Sequence, residues 1–275
     1  MSTTTAVDVE AARRAIEDNP VWYHTLELGP GLTTPGWFDL RGIVDKLPWP
    51  DVAGKRCLDV ATYDGFFAFE LERRGAAEVV CTDIPDHANW DWPPFARAKG
   101  PTGLASFAGE KGRGFEVAHG ILGSRVRKIV RSAYDLDPEV DGRFDVVVCG
   151  SLMLHLRDPL RALEAIRGVC EGVFLSMEEI RLSSTLLHPR RPVADLDGVR
   201  DLCQWWVPNV AGHRRMVQSA GFEILETTRP YAEAFGPAHP RRRLRPHEQA
   251  GALLRRVTLK GDGVPHAALL ARPAV

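Results

Sequence analysis

The stretch that decides the fold runs Cys57-Leu58-Asp59-Val60-Ala61, then Thr62-Tyr63-Asp64-Gly65, then Phe66 to Arg74, and, after Gly75, Glu78-Val79-Val80-Cys81-Thr82-Asp83. The first and last pieces are short apolar runs rich in Val, Leu and Cys, the composition of strands buried on both faces. The piece between them is helical and is stopped by Gly75, so the whole predicts one strand–helix–strand unit with parallel strands. The same rhythm continues outward. Val126 to Val130, Phe144 to Cys149 and Val173 to Met177 read as further short strands. Asp158-Pro159 supplies an N-cap with Pro in the first turn of a helix whose apolar stripe is Leu160, Leu163, Ile166 and Cys170. Asn209 caps and Gly221 stops another helix, Phe222 to Glu226 follows as a strand, and Ala267 to Ala271 reads as the last strand at the sheet's far edge. The predicted fold is α/β, a doubly wound sheet, mostly parallel with an antiparallel edge strand.

Toward the N-terminus the pattern changes. Asp8 to Asp18 reads as a helix ended by Asn19-Pro20, because the residue before Pro avoids the α region. Val21 to Asp39 is rich in turns and carries Trp22, Tyr23, His24, Trp37 and Phe38; a short helix is expected over Leu40 to Leu47. Residues 1–50 are therefore expected to form a cap and residues 51–275 the main domain. Two insertions, 85–124 and 180–206, break its rhythm; a structureless loop of the first one's length is unusual in a compact domain, so it is expected to hold helices and part of a substrate wall.

Composition narrows the function classes. With 35 basic and 36 acidic residues the net charge is −1, so no global field draws the chain to nucleic acid or anionic membrane. The five cysteines show no C-x-x-C spacing, and three lie in apolar strand-like runs, which suits a reducing compartment. With no apolar stretch of membrane-spanning length and no basic, apolar leader, a cytoplasmic location is expected, and no membrane partner. No His, Cys or carboxylate set has metal-ligand spacing.

Chemistry belongs at the carboxyl ends of the strands. There Asp59 is an acidic residue of the first strand, a tight turn with Gly65 follows, and Asp83 ends the second strand, placed to accept both hydroxyls of a ribose. The G-x-G-x-x-G set that lets backbone approach a pyrophosphate is absent, which excludes the usual dinucleotide site. A single-nucleoside cofactor without phosphates needs less exposed backbone, and an acid at the turn suits a cationic ligand.

On these residues the sequence resembles class I S-adenosylmethionine-dependent methyltransferases, whose Asp/Glu-x-Gly-x-Gly-x-Gly motif it matches at Asp59 and Gly65 while carrying Ala61 and Tyr63 at the middle glycines. It resembles more closely the branch that includes the tRNA wobble-uridine enzymes, through Trp22-Tyr23-His24, Pro35-Gly36-Trp37-Phe38-Asp39, Asp64-Gly65-Phe66, Ser151 to Pro159 and Trp206-Val207-Pro208-Asn209. The resemblance implies a Rossmann-like methyltransferase fold and S-adenosylmethionine as cofactor. It implies that Asp59, Thr62 and Gly65 line the methionine portion, Asp83 takes the ribose, Asp135 faces the adenine amino group and Ser151 sits near the sulfonium. Leu154 stands where that branch places a Tyr for a carboxylated cofactor, which favours the ordinary one.

The expected function is methyl transfer to an oxygen or nitrogen of a small-molecule acceptor. His155, after a strand end facing the cofactor, and His24, in the aromatic segment, are the candidate general bases, since imidazole accepts protons near neutral pH. Each has a structural alternative as a residue that merely holds a loop. A tRNA-modifying enzyme stays open through the basic run Arg241 to Arg245, as does a non-catalytic nucleoside-binding protein.

Overall fold

The computed structural model describes residues 8–98, 111–199, 203–240 and 246–274. In chain order the N-terminal part holds α1 (Val9–Glu17), the small hairpin β1 (Glu27–Gly29) and β2 (Leu32–Thr33), and β3 (Phe38–Asp39). The central part runs β4 (Arg56–Val60), α2 (Phe66–Arg73), β5 (Glu78–Asp83), α3 (Pro94–Ala98), α4 (Arg113–Leu122), β6 (Arg127–Val130), α5 (Pro138–Asp141) and β7 (Phe144–Gly150). Then come α6 (Pro159–Val169), β8 (Cys170–Glu179), α7 (Leu182–Leu187), β9 (Ala194–Leu196), β10 (Trp206–Pro208), α8 (Val210–Ser219), β11 (Phe222–Thr227), β12 (Tyr231–Phe235), α9 (Pro246–Leu259) and β13 (Gly263–Pro273). The expected short helix over Leu40 to Leu47 is a single tight turn, Val44–Lys46.

The main sheet has the order β3-β12-β13-β8-β7-β4-β5-β6, with β11 also pairing β13. Strands β4 to β8 pair in parallel, as their short apolar runs predict. The antiparallel part is larger than one edge strand. Ala267 to Ala271 is not at the far edge, because β13 is sandwiched: β8 pairs along one side, and β11 and β12 divide the other. Beyond β12, β3 brings the N-terminal segment into the same sheet.

Alternation along the strands splits the core into two layers. Cys57, Cys81, Val146 and Val148 face Phe67, Leu71 and Phe115 of α2 and α4. Leu58, Val60, Val147 and Cys149 face Leu163, Ile166 and Val217 of α6 and α8. Asp59 shares the parity of Cys57, so its carboxylate lies on the α2 side at the strand's end. α6 starts as the sequence predicts, with Asp158 Oδ1 accepting from the Arg161 N–H at 3.1 Å and Pro159 in the first turn.

The insertions join over the strand ends. Trp92 and Cys203, one from each insertion, pack with Ala96. Trp205 Nε1 donates to the Asp91 carbonyl at 2.6 Å, and the Trp205 N–H donates to the Leu154 carbonyl at 2.7 Å. Asn209 secures the second insertion: its Oδ1 caps α8 at Gly212 (2.7 Å) while its Nδ2 donates to the carbonyls of His188 and Arg191, both at 2.9 Å.

Candidate active site

A cavity of about 310 Å³, within the range of small-ligand sites, opens at the carboxyl ends of β4, β5 and β7. Asp59, Thr62, Asp83, Ser151, His155 and His24 all line it. Its roof comes from the first insertion, including Trp90, and its far end from Tyr23, Tyr231 and Glu233. Gly65 and Asp135 are not in this wall.

The turn after β4 explains how a glycine motif works without its glycines. Ala61 and Tyr63 both adopt positive φ, +61° and +52°, so the loop keeps a left-handed path with L side chains, at a cost of about 1–2 kcal/mol each. Strain held in this way clusters at functional sites. Gly65 is required for a different reason than lining the cavity. It caps α2 at φ +95°, and a Cβ there would meet the Phe69 ring at 2.3 Å and the Phe115 ring at 2.9 Å.

Asp59 is 1% exposed, and Thr62 Oγ1 donates to its Oδ2 at 2.6 Å. Burial pushes its pKa up to about 7, against the pull of Thr62, His24 and the Ala68 N–H, so a cation beside it would favour the charged form. Asp83 accepts the N–H of Ile84 at 2.8 Å and of Tyr63 at 3.1 Å. It is also ion-paired with Lys111, a nearly fully buried ammonium that donates to the Ile84 carbonyl at 2.8 Å. Sequence reasoning missed Lys111, since nothing local links it to the end of β5.

Asp64 does not face the cavity as an acid for a cationic ligand. It latches the N-terminal segment: one oxygen accepts the N–H groups of Tyr23 (2.9 Å) and His24 (2.8 Å), and the other is bonded to His24 Nδ1. Both residues are buried. Burial depresses the His24 pKa, but the Asp64 charge and hydrogen bond, helped by Glu233 and Asp59, outweigh it and raise the value above that of free imidazole. Because a carboxylate holds Nδ1–H, Nε2 is the nitrogen left for proton transfer.

His155 is held differently. Its Nδ1 bonds the Cys203 carbonyl, which can only accept, so the neutral ring carries its proton there and keeps a lone pair on Nε2. Burial lowers its pKa, only partly offset by that carbonyl. The turn bearing Ser151 and His155 is set by Glu178, a buried acid of β8 that accepts from the N–H groups of Leu152 (3.3 Å) and Met153 (3.2 Å). Ser151 itself has φ +51° and donates its N–H to the Met177 carbonyl at 2.7 Å.

Asp135 departs from its expected place. The turn after β6 offers Ser132, Ala133 and Tyr134 to the cavity, whereas the Asp135 carboxylate is 61% exposed and lies 3.7 Å from Arg161. The run Arg241 to Arg245 lies outside the described residues. Among the described residues, no group of three or more His, Cys, Asp or Glu side chains has a metal-holding arrangement, and no helix is long and apolar enough to cross a membrane.

The methyltransferase domain family matches residues 39–227, and the chain belongs to that family. The protein carries this methyltransferase domain on a Rossmann-like fold. Among curated proteins, none matches the sequence. Of solved structures, the N-terminal domain of EvdMO1 with SAH bound is similar over 100% of both chains, at 16% identity and TM-score 0.54. The [4+2]-cyclase SpnF is similar over 97% of this chain and 93% of its own, at 17% identity and TM-score 0.50. An S-adenosylmethionine-dependent methyltransferase from Mesorhizobium loti is similar over 82% of this chain and 93% of its own, at 15% identity and TM-score 0.46. A cyclase on this fold shows that chemistry is argued from the site rather than the architecture.

The donor set fits the cofactor. Asp83 supplies a carboxylate at the strand end for vicinal hydroxyls, Ile84 and Ala133 supply apolar surface beside it, and buried Asp59 suits a positively charged group.

Proposed function

We propose that the protein methylates an oxygen or nitrogen of a small-molecule acceptor, with His24 as general base. The observation that carries this reading is the continuity of one cavity from the acids at the ends of β4 and β5 to the His24–Asp64 pair. Asp83 holds the ribose, Asp59, Thr62 and the 61–63 backbone hold the methionine portion, and Ser151 lies beside the sulfur. Bound there, the cofactor supplies an electrophilic methyl group on a positively charged sulfur. The chain's main contribution is positional: it places the acceptor at a reacting distance of about 3–3.5 Å from the methyl group. His24 Nε2 takes the acceptor's proton, and Asp64 fixes the ring's tautomer and stabilises the imidazolium that results. His155, its Nδ1 committed to the Cys203 carbonyl, presents Nε2 to the same cavity as a second proton acceptor.

The His24 assignment predicts a pH dependence with a definite sign. Only neutral His24 can accept a proton, and its pKa is raised, so kcat should climb with pH through a midpoint above 6.5, the ordinary imidazole value. A midpoint below it, measured at saturating cofactor, would point to His155, whose pKa is lowered.

Transfer from methyl-radiolabelled S-adenosylmethionine into fractionated cell extract tests the acceptor class. Label in the small-molecule fraction is expected. Label in RNA, lost at raised salt and on neutralising Arg241 to Arg245, would instead support the wobble-uridine branch.

A further inference from the structure

One acid of the cavity wall has no part in the reading above. Asp91, from the first insertion, lines the cavity together with Ser132, Ala133 and Tyr134, at the turn whose Asp135 points to solvent. Its carboxylate is braced through one oxygen. Oδ2 accepts from the Tyr134 hydroxyl at 2.5 Å and from the Arg157 N–H at 2.9 Å. The Tyr134 hydroxyl in turn accepts the Asp158 N–H at 3.1 Å, which fixes the pair against the start of α6. The other oxygen, Oδ1, receives no donor from the described residues, although a carboxylate oxygen has two acceptor positions.

Where Asp91 stands relative to a bound nucleoside follows from the sheet order. With the methionine portion over the turn after β4 and the ribose on Asp83 at the end of β5, the base extends from the sugar toward β6, the next strand. That end of the cavity is walled by Ile84, the 132–134 turn after β6, and the roof residues Trp90 and Asp91. Ile84, Ala133 and Trp90 give apolar surface for a purine ring. Among the described residues, the acids lining the cavity are Asp59, Asp83, Asp91 and Glu233. Asp83 is assigned to the sugar, Asp59 lies on β4 and Glu233 on β12, across the sheet from β6. Asp91 is the acid left beside the base.

We infer that Asp91 Oδ1 accepts the exocyclic amino group of the cofactor's adenine, so the first insertion reads the base and Asp135 does not. The inference rests on the methyl-transfer reading above and names the residue that selects the base. An amino group taken out of water weakens binding unless an acceptor meets it, and a charged acceptor makes the stronger bond. The same residue also joins the two insertions. Its carbonyl accepts from Trp205 Nε1 at 2.6 Å, two positions from Cys203, whose carbonyl orients His155. Recognition of the base and the setting of that imidazole therefore share one anchor.

The test titrates the full chain calorimetrically with S-adenosylhomocysteine and with its analogue carrying hydrogen in place of the 6-amino group. The wild type should bind S-adenosylhomocysteine about tenfold or more tightly than the analogue, the range for a hydrogen bond to a charged acceptor. Asp91→Asn is nearly isosteric: its amide oxygen keeps the Tyr134 and Arg157 donors while its NH2 group faces the ligand. The preference should then shrink to within about threefold or reverse. Asp135→Ala should leave it intact. Equal binding of the two ligands by the wild type overturns the inference, as does a preference that disappears in Asp135→Ala. A preference that survives Asp91→Asn overturns it too; if both affinities fall together, Asp91 only braces the roof. If S-adenosylhomocysteine itself fails to bind the wild-type chain, the methyl-transfer reading is at fault, and that titration comes first.

Discussion

Asp64→Ala should be the most damaging single change outside the apolar core, lowering stability by about 3–5 kcal/mol, the range for removing one side of a buried, charged hydrogen-bonded pair. Three donors converge on this buried carboxylate: the backbone N–H groups of Tyr23 and His24 and the His24 ring. Thermal or urea unfolding measures the loss, and a shift inside ±0.5 kcal/mol, typical of surface substitutions, would mean that the latch is not structural. Activity should fall further than stability explains. Asp64→Asn separates the two effects, because an amide oxygen still accepts from the backbone while the negative charge beside His24 disappears. Burial then dominates the imidazole, its pKa drops below the ordinary value, and the acid limb of the rate profile moves to lower pH. Turnover should fall by about 10²–10⁴, the usual contribution of a positioned base. An acid limb that stays in place would show that His24 is not the titrating group.

The same residue shows what was legible in the sequence. Asp64-Gly65 reads correctly as a turn between strand and helix, because turn chemistry is local. Its carboxylate's partners lie some 40 positions upstream, and no periodicity reports such a contact. The parallel strands, α2, α6, α8 and the acids Asp59 and Asp83 were all visible, since each is marked by a run of apolar residues, a cap or a strand end within a few positions. The antiparallel end of the sheet was not. β11 and β12 share one side of β13, a pairing between segments some 30 to 50 positions apart that no local pattern reports. Glu233 and Tyr231 were missed for that reason, because each reaches the site through that pairing. Asp135 illustrates the converse. A family position carried onto a loop predicts a neighbourhood, yet in this chain the turn shows Ser132, Ala133 and Tyr134 to the cavity and Asp135 to solvent.

Asp83→Ala should weaken binding of S-adenosylhomocysteine by about 10- to 100-fold, since a hydrogen bond to a charged acceptor is worth about 1.5–3 kcal/mol and tenfold is about 1.4. The single variant alone is ambiguous. It also strands Lys111, whose side chain is 3% exposed and whose remaining hydrogen-bond partner is the Ile84 carbonyl, so a collapsed wall would lower affinity as well. Burial already draws the Lys111 pKa down, with Asp83 opposing it, and without that carboxylate the lysine would be driven further toward its neutral form. The double variant Asp83→Ala/Lys111→Met removes the stranded charge and should recover most of the melting temperature lost by the single one. Affinity should not recover with it, because the acceptor for the ribose hydroxyls is still missing. Calorimetric titration of both variants, beside their unfolding curves, decides the matter. If the double variant binds as tightly as the wild type, Asp83 serves to hold Lys111 and the ribose is held by another group; if stability returns while affinity stays low, the strand-end carboxylate is the sugar's acceptor.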